Sequence, residues 1–99
     1  MISIKVHESY RKVVAVCDAE LIGRKFEEGK MQLDLRENFY KGEQFDDRKI
    51  VELIKKHFKD DATFNIAGEK SVKAALDAGI ISEGNIGKVG GVPFALLLL

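Results

Sequence analysis

Ninety-nine residues with 45% apolar content make one domain that can bury a core without disulfides or metals. Sixteen basic and sixteen acidic side chains leave no net charge with histidine neutral, which excludes a generally basic surface for displacing phosphate counterions but not a patch gathered by folding. The single cysteine, Cys17, excludes a disulfide framework within the chain, and the longest apolar run, 92–99 with Pro93 inside it, is less than half a membrane span.

Ile2, Ile4 and Val6 alternate with Ser3, Lys5 and His7, the period of a strand with one wet face. A polar connection, Glu8-Ser9-Tyr10-Arg11-Lys12, leads into 13–17, which is apolar on both faces and therefore more central. The short link favours an antiparallel hairpin. Asp18 reads as the N-cap of a helix to about 28, with Leu21, Ile22 and Phe26 inward and Gly29 as its stop. Gly23 inside that helix costs about 1 kcal/mol relative to alanine. Met31, Leu33 and Leu35 alternate with Gln32, Asp34 and Arg36 as a third strand, followed by a loop over 38–43 with two adjacent aromatics.

Asp46 caps the clearest helix, where Ile50, Leu53, Ile54 and Phe58 form one stripe with His57 beside them. Lys55, Lys56 and Lys59 suit the negative end of its dipole and read as a solvated face. Ala62, Phe64 and Ile66 mark a fourth strand, Gly68 turns the chain, and a helix over 69–78 buries Val72, Ala75 and Leu76 before Gly79. After a turn at 82–85, Val89 and then 92–99 form the last extended segment. This order predicts an α+β fold: a two-layer sandwich whose mixed four- to five-stranded sheet carries about three helices on one face. A doubly wound sheet ranks second.

Few residues suggest chemistry. A strand running through Gly68 into a helix exposes backbone N–H groups at the positive end of a dipole. Asn65 and Ser71 can add an amide and a hydroxyl, while Glu69 suits that dipole by itself. The return through Gly90, Gly91 and Pro93 can form a second wall, so these residues with Asn65, Gly68, Glu69 and Ser71 are the candidate ligand cleft. The plain alternative is a tight connection into an edge strand. His7 and His57 make no convincing catalytic pair. Cys17 sits before a predicted helix cap, where a thiol pKa can fall, yet a buried inert cysteine is the commoner outcome. No catalytic residue, metal set or cofactor is expected.

Four blocks carry a resemblance: Cys17-Asp18-Ala19-Glu20-Leu21-Ile22-Gly23-Arg24, Phe39-Tyr40-Lys41-Gly42, Asn65-Ile66-Ala67-Gly68-Glu69-Lys70-Ser71-Val72 and Gly91-Val92-Pro93. In this order and spacing the chain resembles an archaeal family of small proteins, domain-of-unknown-function family 424. The resemblance covers nearly the whole chain and implies a compact, cytoplasmic α+β protein without an assigned activity. The family pattern has a histidine after Gly-Val-Pro, where this chain has Phe94, which weakens a catalytic reading.

Two functions are therefore expected from different classes. The first is a non-enzymatic binding or accessory module contacting RNA or a ribonucleoprotein through Arg24, Phe39, Tyr40 and Lys41, with the turn at 65–71. The alternative is an enzyme or ligand-binding domain holding an anionic metabolite at 68–71, with Cys17 or Asp18 nearby. The first ranks higher because no nucleophile–base pair is visible. A cytoplasmic location without membrane attachment is expected, because the N-terminus lacks the regions of a signal peptide. Neighbouring leucines in 96–99 cannot share one face of a strand, which predicts that they are buried between protomers or against a partner, most simply in a homodimer.

Overall fold

The alternation at the N-terminus and the doubly apolar run after it form β1 (Ile2–His7) and β2 (Val13–Asp18), paired antiparallel from Ile2 opposite Asp18 to His7 opposite Val13. The structure, a computed structural model, describes residues 1–98. Four further strands join this hairpin: β5 (Glu43–Phe45), β6 (Thr63–Ala67), β7 (Gly87–Val89) and β8 (Val92–Leu97). Their order is β5-β1-β2-β6-β8-β7, six strands where four or five were expected. Only the β2–β6 contact is parallel, so the sheet is mixed, and the α+β class holds. β1 is covered along Ile2–Ile4 by β5.

The sheet has apolar cover on both faces. On one side Ile2, Ile4, Val14, Val16, Phe64, Ile66 and Ala95 pack against α2 (Asp47–Lys59) and α3 (Glu69–Asp77). Asp46 caps α2 as its sequence indicates, accepting the Lys49 N–H at 2.9 Å. The buried centre of the α2 stripe is Ile50 and Ile54, while Leu53 is half-buried and Phe58 is exposed. On the other face Ala15, Cys17 and Ala67 meet Leu35 and Tyr40. Phe26, Leu33, Phe39 and Phe94 close that smaller core. The helices therefore divide between the faces, with the short α1 (Glu37–Tyr40) on the second.

The helix expected over 18–28 is corrected. One turn of 3-10 helix spans Ala19–Leu21, and the chain then extends as β3 (Lys25–Glu28). Gly23 and Gly29 take φ of +90° and +61°, left-handed values that end any helix containing them. Gly29 opens a two-residue turn to β4 (Met31–Asp34), so the third predicted strand pairs with β3 in a separate small sheet. The loop expected over 38–43 is replaced by α1 and the start of β5. Ser3 ties this connection to β1: its buried hydroxyl donates to the Tyr40 carbonyl at 2.9 Å and accepts the Gly42 N–H at 2.8 Å.

Candidate functional site

α3 begins at a glycine. Gly68, its N-cap at φ +105°, has no side chain to satisfy the first N–H groups of the helix. Asp18 does so from the end of β2, across the parallel β2–β6 pair. One carboxylate oxygen accepts the Ser71 N–H at 2.8 Å and the Ser71 hydroxyl at 2.7 Å. The other accepts the Lys70 N–H at 3.1 Å. Asp18 is only 3% exposed and Ser71 is fully buried, so the clamp is shielded from water. A Cβ on Gly68 would overlap the Asp18 carboxyl group, so glycine here leaves space for the cap as well as making the turn. The positive end of α3 thus already holds an anion, and it belongs to the chain itself.

A cleft of about 250 Å³ opens beside this clamp, lined by Asp18, Glu20, Leu21, Glu69, Lys70 and Gly91–Val92–Pro93. Gly91, Val92 and Pro93 form the second wall: the Gly68 N–H donates to the Pro93 carbonyl at 2.9 Å, which fixes this return against the start of α3. Glu20 and Glu69 are the exposed carboxylates of this lining, against one ammonium at Lys70, while the Asp18 carboxylate is taken up by the cap. The exposed Lys70 and Glu20 approach to 3.7 Å. The backbone hydrogen bond at Glu20 holds its carboxyl below the ordinary value, and Lys70 adds to that. Leu21, Val92 and Pro93 supply an apolar wall.

Of the sequence-predicted ligand residues, Glu69, Gly91 and Pro93 line the cleft, while Gly68 and Ser71 hold the clamp beneath it. Gly90 is turned to the small sheet, its N–H donating to Glu28 Oε1 at 2.9 Å. Asn65 lies in β6 opposite Leu96 and is not part of the lining. Sequence reasoning missed Glu20, Leu21, Lys70 and Val92; it set Asp18 near the 68–71 turn, but as the cap of a helix that does not form rather than of α3. The available signal was Gly68 itself, because a glycine-led helix with a buried serine in its first turn needs an acceptor from elsewhere.

The four predicted partner residues separate. Tyr40 is buried in the second core, and its hydroxyl is pushed up to about 12 by desolvation and then by Cys17. Phe39 is half-buried, stacked on His7 at 4.6 Å and edge-on to Tyr40 at 4.9 Å. Only Arg24 and Lys41 are exposed, with the Arg24 guanidinium 5.0 Å over the Phe26 ring. Cys17 is fully buried; desolvation, then the charges of Asp18 and Glu20, raises its thiol to about 12. His7 Nε2 lies 2.8 Å from the Phe39 carbonyl. His57 lines a separate groove, and its pKa is lowered by desolvation, then by Lys12 and Lys56. Among the described residues no cluster of His, Cys, Asp and Glu is placed to hold a metal ion, and no helix is long and apolar enough to cross a membrane.

The profile of the family described as "Protein of unknown function (DUF424)" matches residues 6–99. The chain belongs to this family. Among solved structures it is similar to an uncharacterized conserved protein from Methanopyrus kandleri, 25% identical, with a TM-score of 0.87 over 99% of this chain and 93% of that one. No curated protein matches. Neither similarity brings a reaction or a ligand to the DUF424 chain. Three of the four sequence blocks that resemble the family do converge on the cleft: the first through Asp18, Glu20 and Leu21, the third through Glu69 and Lys70, the fourth through Gly91, Val92 and Pro93.

Proposed function

We propose that this DUF424 protein is a non-enzymatic, cytoplasmic binding domain whose cleft beside the start of α3 receives a basic side chain of a partner protein. The observation that carries this reading is the lining itself: exposed Glu20 and Glu69 against Lys70 alone, above an Asp18 carboxylate already engaged in the cap of α3, with an apolar wall of Leu21, Val92 and Pro93. A lysine or arginine can lay its methylene stem along that wall and bring its charge to the glutamates. The volume, about 250 Å³, lies below the roughly 300–1,000 Å³ of small-molecule sites and suits one long side chain. An external anion is disfavoured, because Asp18 already takes the Lys70 and Ser71 N–H groups. A covalent reaction lacks support, since the Cys17 thiol is buried and protonated at neutral pH. A buried unbridged thiol accords with a reducing compartment.

One observation favours RNA as a second reading. Tyr10 is wholly exposed beside Arg11 and Lys12, where a base can stack, although Asp60 and Asp61 share that surface. A thermal-shift series separates the two. Lysine- and arginine-rich peptides are expected to raise the melting temperature, because a specific binder stabilises by RT ln(1 + [L]/Kd), about 2.7 kcal/mol at a hundredfold excess over Kd. Stabilisation by short RNA with no effect of the basic peptides would reverse the ranking.

A further inference from the structure

β8 outruns its outer neighbour. β7 pairs only with Val92–Phe94, whereas β6 pairs with β8 as far as Leu97. Backbone groups in an antiparallel ladder alternate in direction from residue to residue. Pro93 aims its carbonyl at Gly68, on the β6 side. Ala95 and Leu97 therefore face β6, and Leu96 turns its N–H and C=O toward the side that β7 has left. No backbone hydrogen bond from a flanking loop reaches Leu96 among the described residues. The side chains of Leu96 and Leu98 are uncovered as well, 53% and 72% exposed. No charge lies in 91–98. The opposite edge differs: β5 is three residues long and carries Glu43 and Gln44, the short polar form that discourages pairing.

We infer that the β8 overhang pairs antiparallel with the same segment of a second copy of this chain about a two-fold axis. An antiparallel edge is self-complementary, because the axis brings each donor–acceptor pair to its own equivalent. The uncharged leucines then cover each other across the axis, which an acidic or basic partner strand would not do for them. Leu99 lies outside the described residues. The contact is shorter than a standard interface of about 1,200–2,000 Å², so dissociation is expected on the order of 100 µM.

Sedimentation of the full chain up to about 1 mM tests this, since a 100 µM dimer is then mostly formed. The expected result is a mass rising from monomer to dimer. The L96K/L98K variant should stay monomeric with unchanged circular dichroism and melting, while Met31→Lys, on the exposed hairpin, should dimerise as the parent does. Hydrogen exchange on the parent needs no variant: the Leu96 amide should gain protection at high concentration and lose it on dilution. A monomer at every concentration, open-ended association beyond a dimer, or a Leu96 amide indifferent to concentration would overturn the inference. The first of these would also be seen if a strand of a different protein occupied the edge.

Discussion

Asp18 is a buried carboxylate whose three hydrogen bonds all go to the first turn of a helix more than fifty residues along the chain. Its removal strips α3 of its cap and strands the fully buried Ser71 hydroxyl. Asp18→Ala should therefore cost about 2–4 kcal/mol, combining a lost cap with an unsatisfied buried group. Chemical denaturation measures it, and a loss under about 0.5 kcal/mol would mean that α3 is held by packing alone. Cys17, next to it, predicts an alkaline limit. Its thiol rises from 9.0 to about 12 on folding. Between those values the unfolded chain has released a proton that the native state keeps, so stability falls as pH rises from about 9. Tyr40, raised from 10.0 to about 12, adds in the same direction. Cys17→Ala should flatten part of that slope. At neutral pH a thiol reagent should label Cys17 only at the rate of opening, and fast labelling would contradict the burial.

Among the elements, α2 was the most legible, because its cap, its period and its basic end agree. Even so, its stripe is unevenly buried: Ile54 is fully buried and Leu53 is only half covered. Ile54→Ala is expected to cost about 2–5 kcal/mol and Leu53→Ala less, with denaturation of the two variants giving the order. The reverse order would turn the stripe toward Leu53. The segment at 18–28 was not legible as a hairpin. Leu21, Ile22 and Phe26 fit a helical face, and local pattern did not reveal that Gly23 and Gly29 both adopt positive φ. With β3 read as helix, β4 had no partner of its own and was assigned to the main sheet. The cleft was half legible. Gly68 and the Gly91–Pro93 return announced two walls with Asp18 near them, but the local pattern marks Asp18 as the cap of its own segment, not of a helix more than fifty residues on.

At the scale of the molecule, the parallel β2–β6 pair is what creates the site. It sets the end of β2 beside the start of α3, and β8 returns along β6 to close the third side. No local period encodes that strand order, whereas the α+β class followed from the mixture of periods two and 3.6. The same arrangement leaves the molecule with separate surfaces: an acid-lined cleft at one end of the central strands, and Tyr10 with Arg11 and Lys12 between β1 and β2. The most direct test is a nuclear magnetic resonance titration of the isotope-labelled protein, once with a lysine- and arginine-rich peptide and once with a short RNA. The account predicts that the peptide shifts the amides of Glu20, Leu21, Glu69, Lys70 and Val92, and that Glu20→Lys with Glu69→Lys abolishes those shifts. A silent cleft in the peptide titration, with shifts at Tyr10, Arg11 and Lys12 on adding RNA, would contradict it.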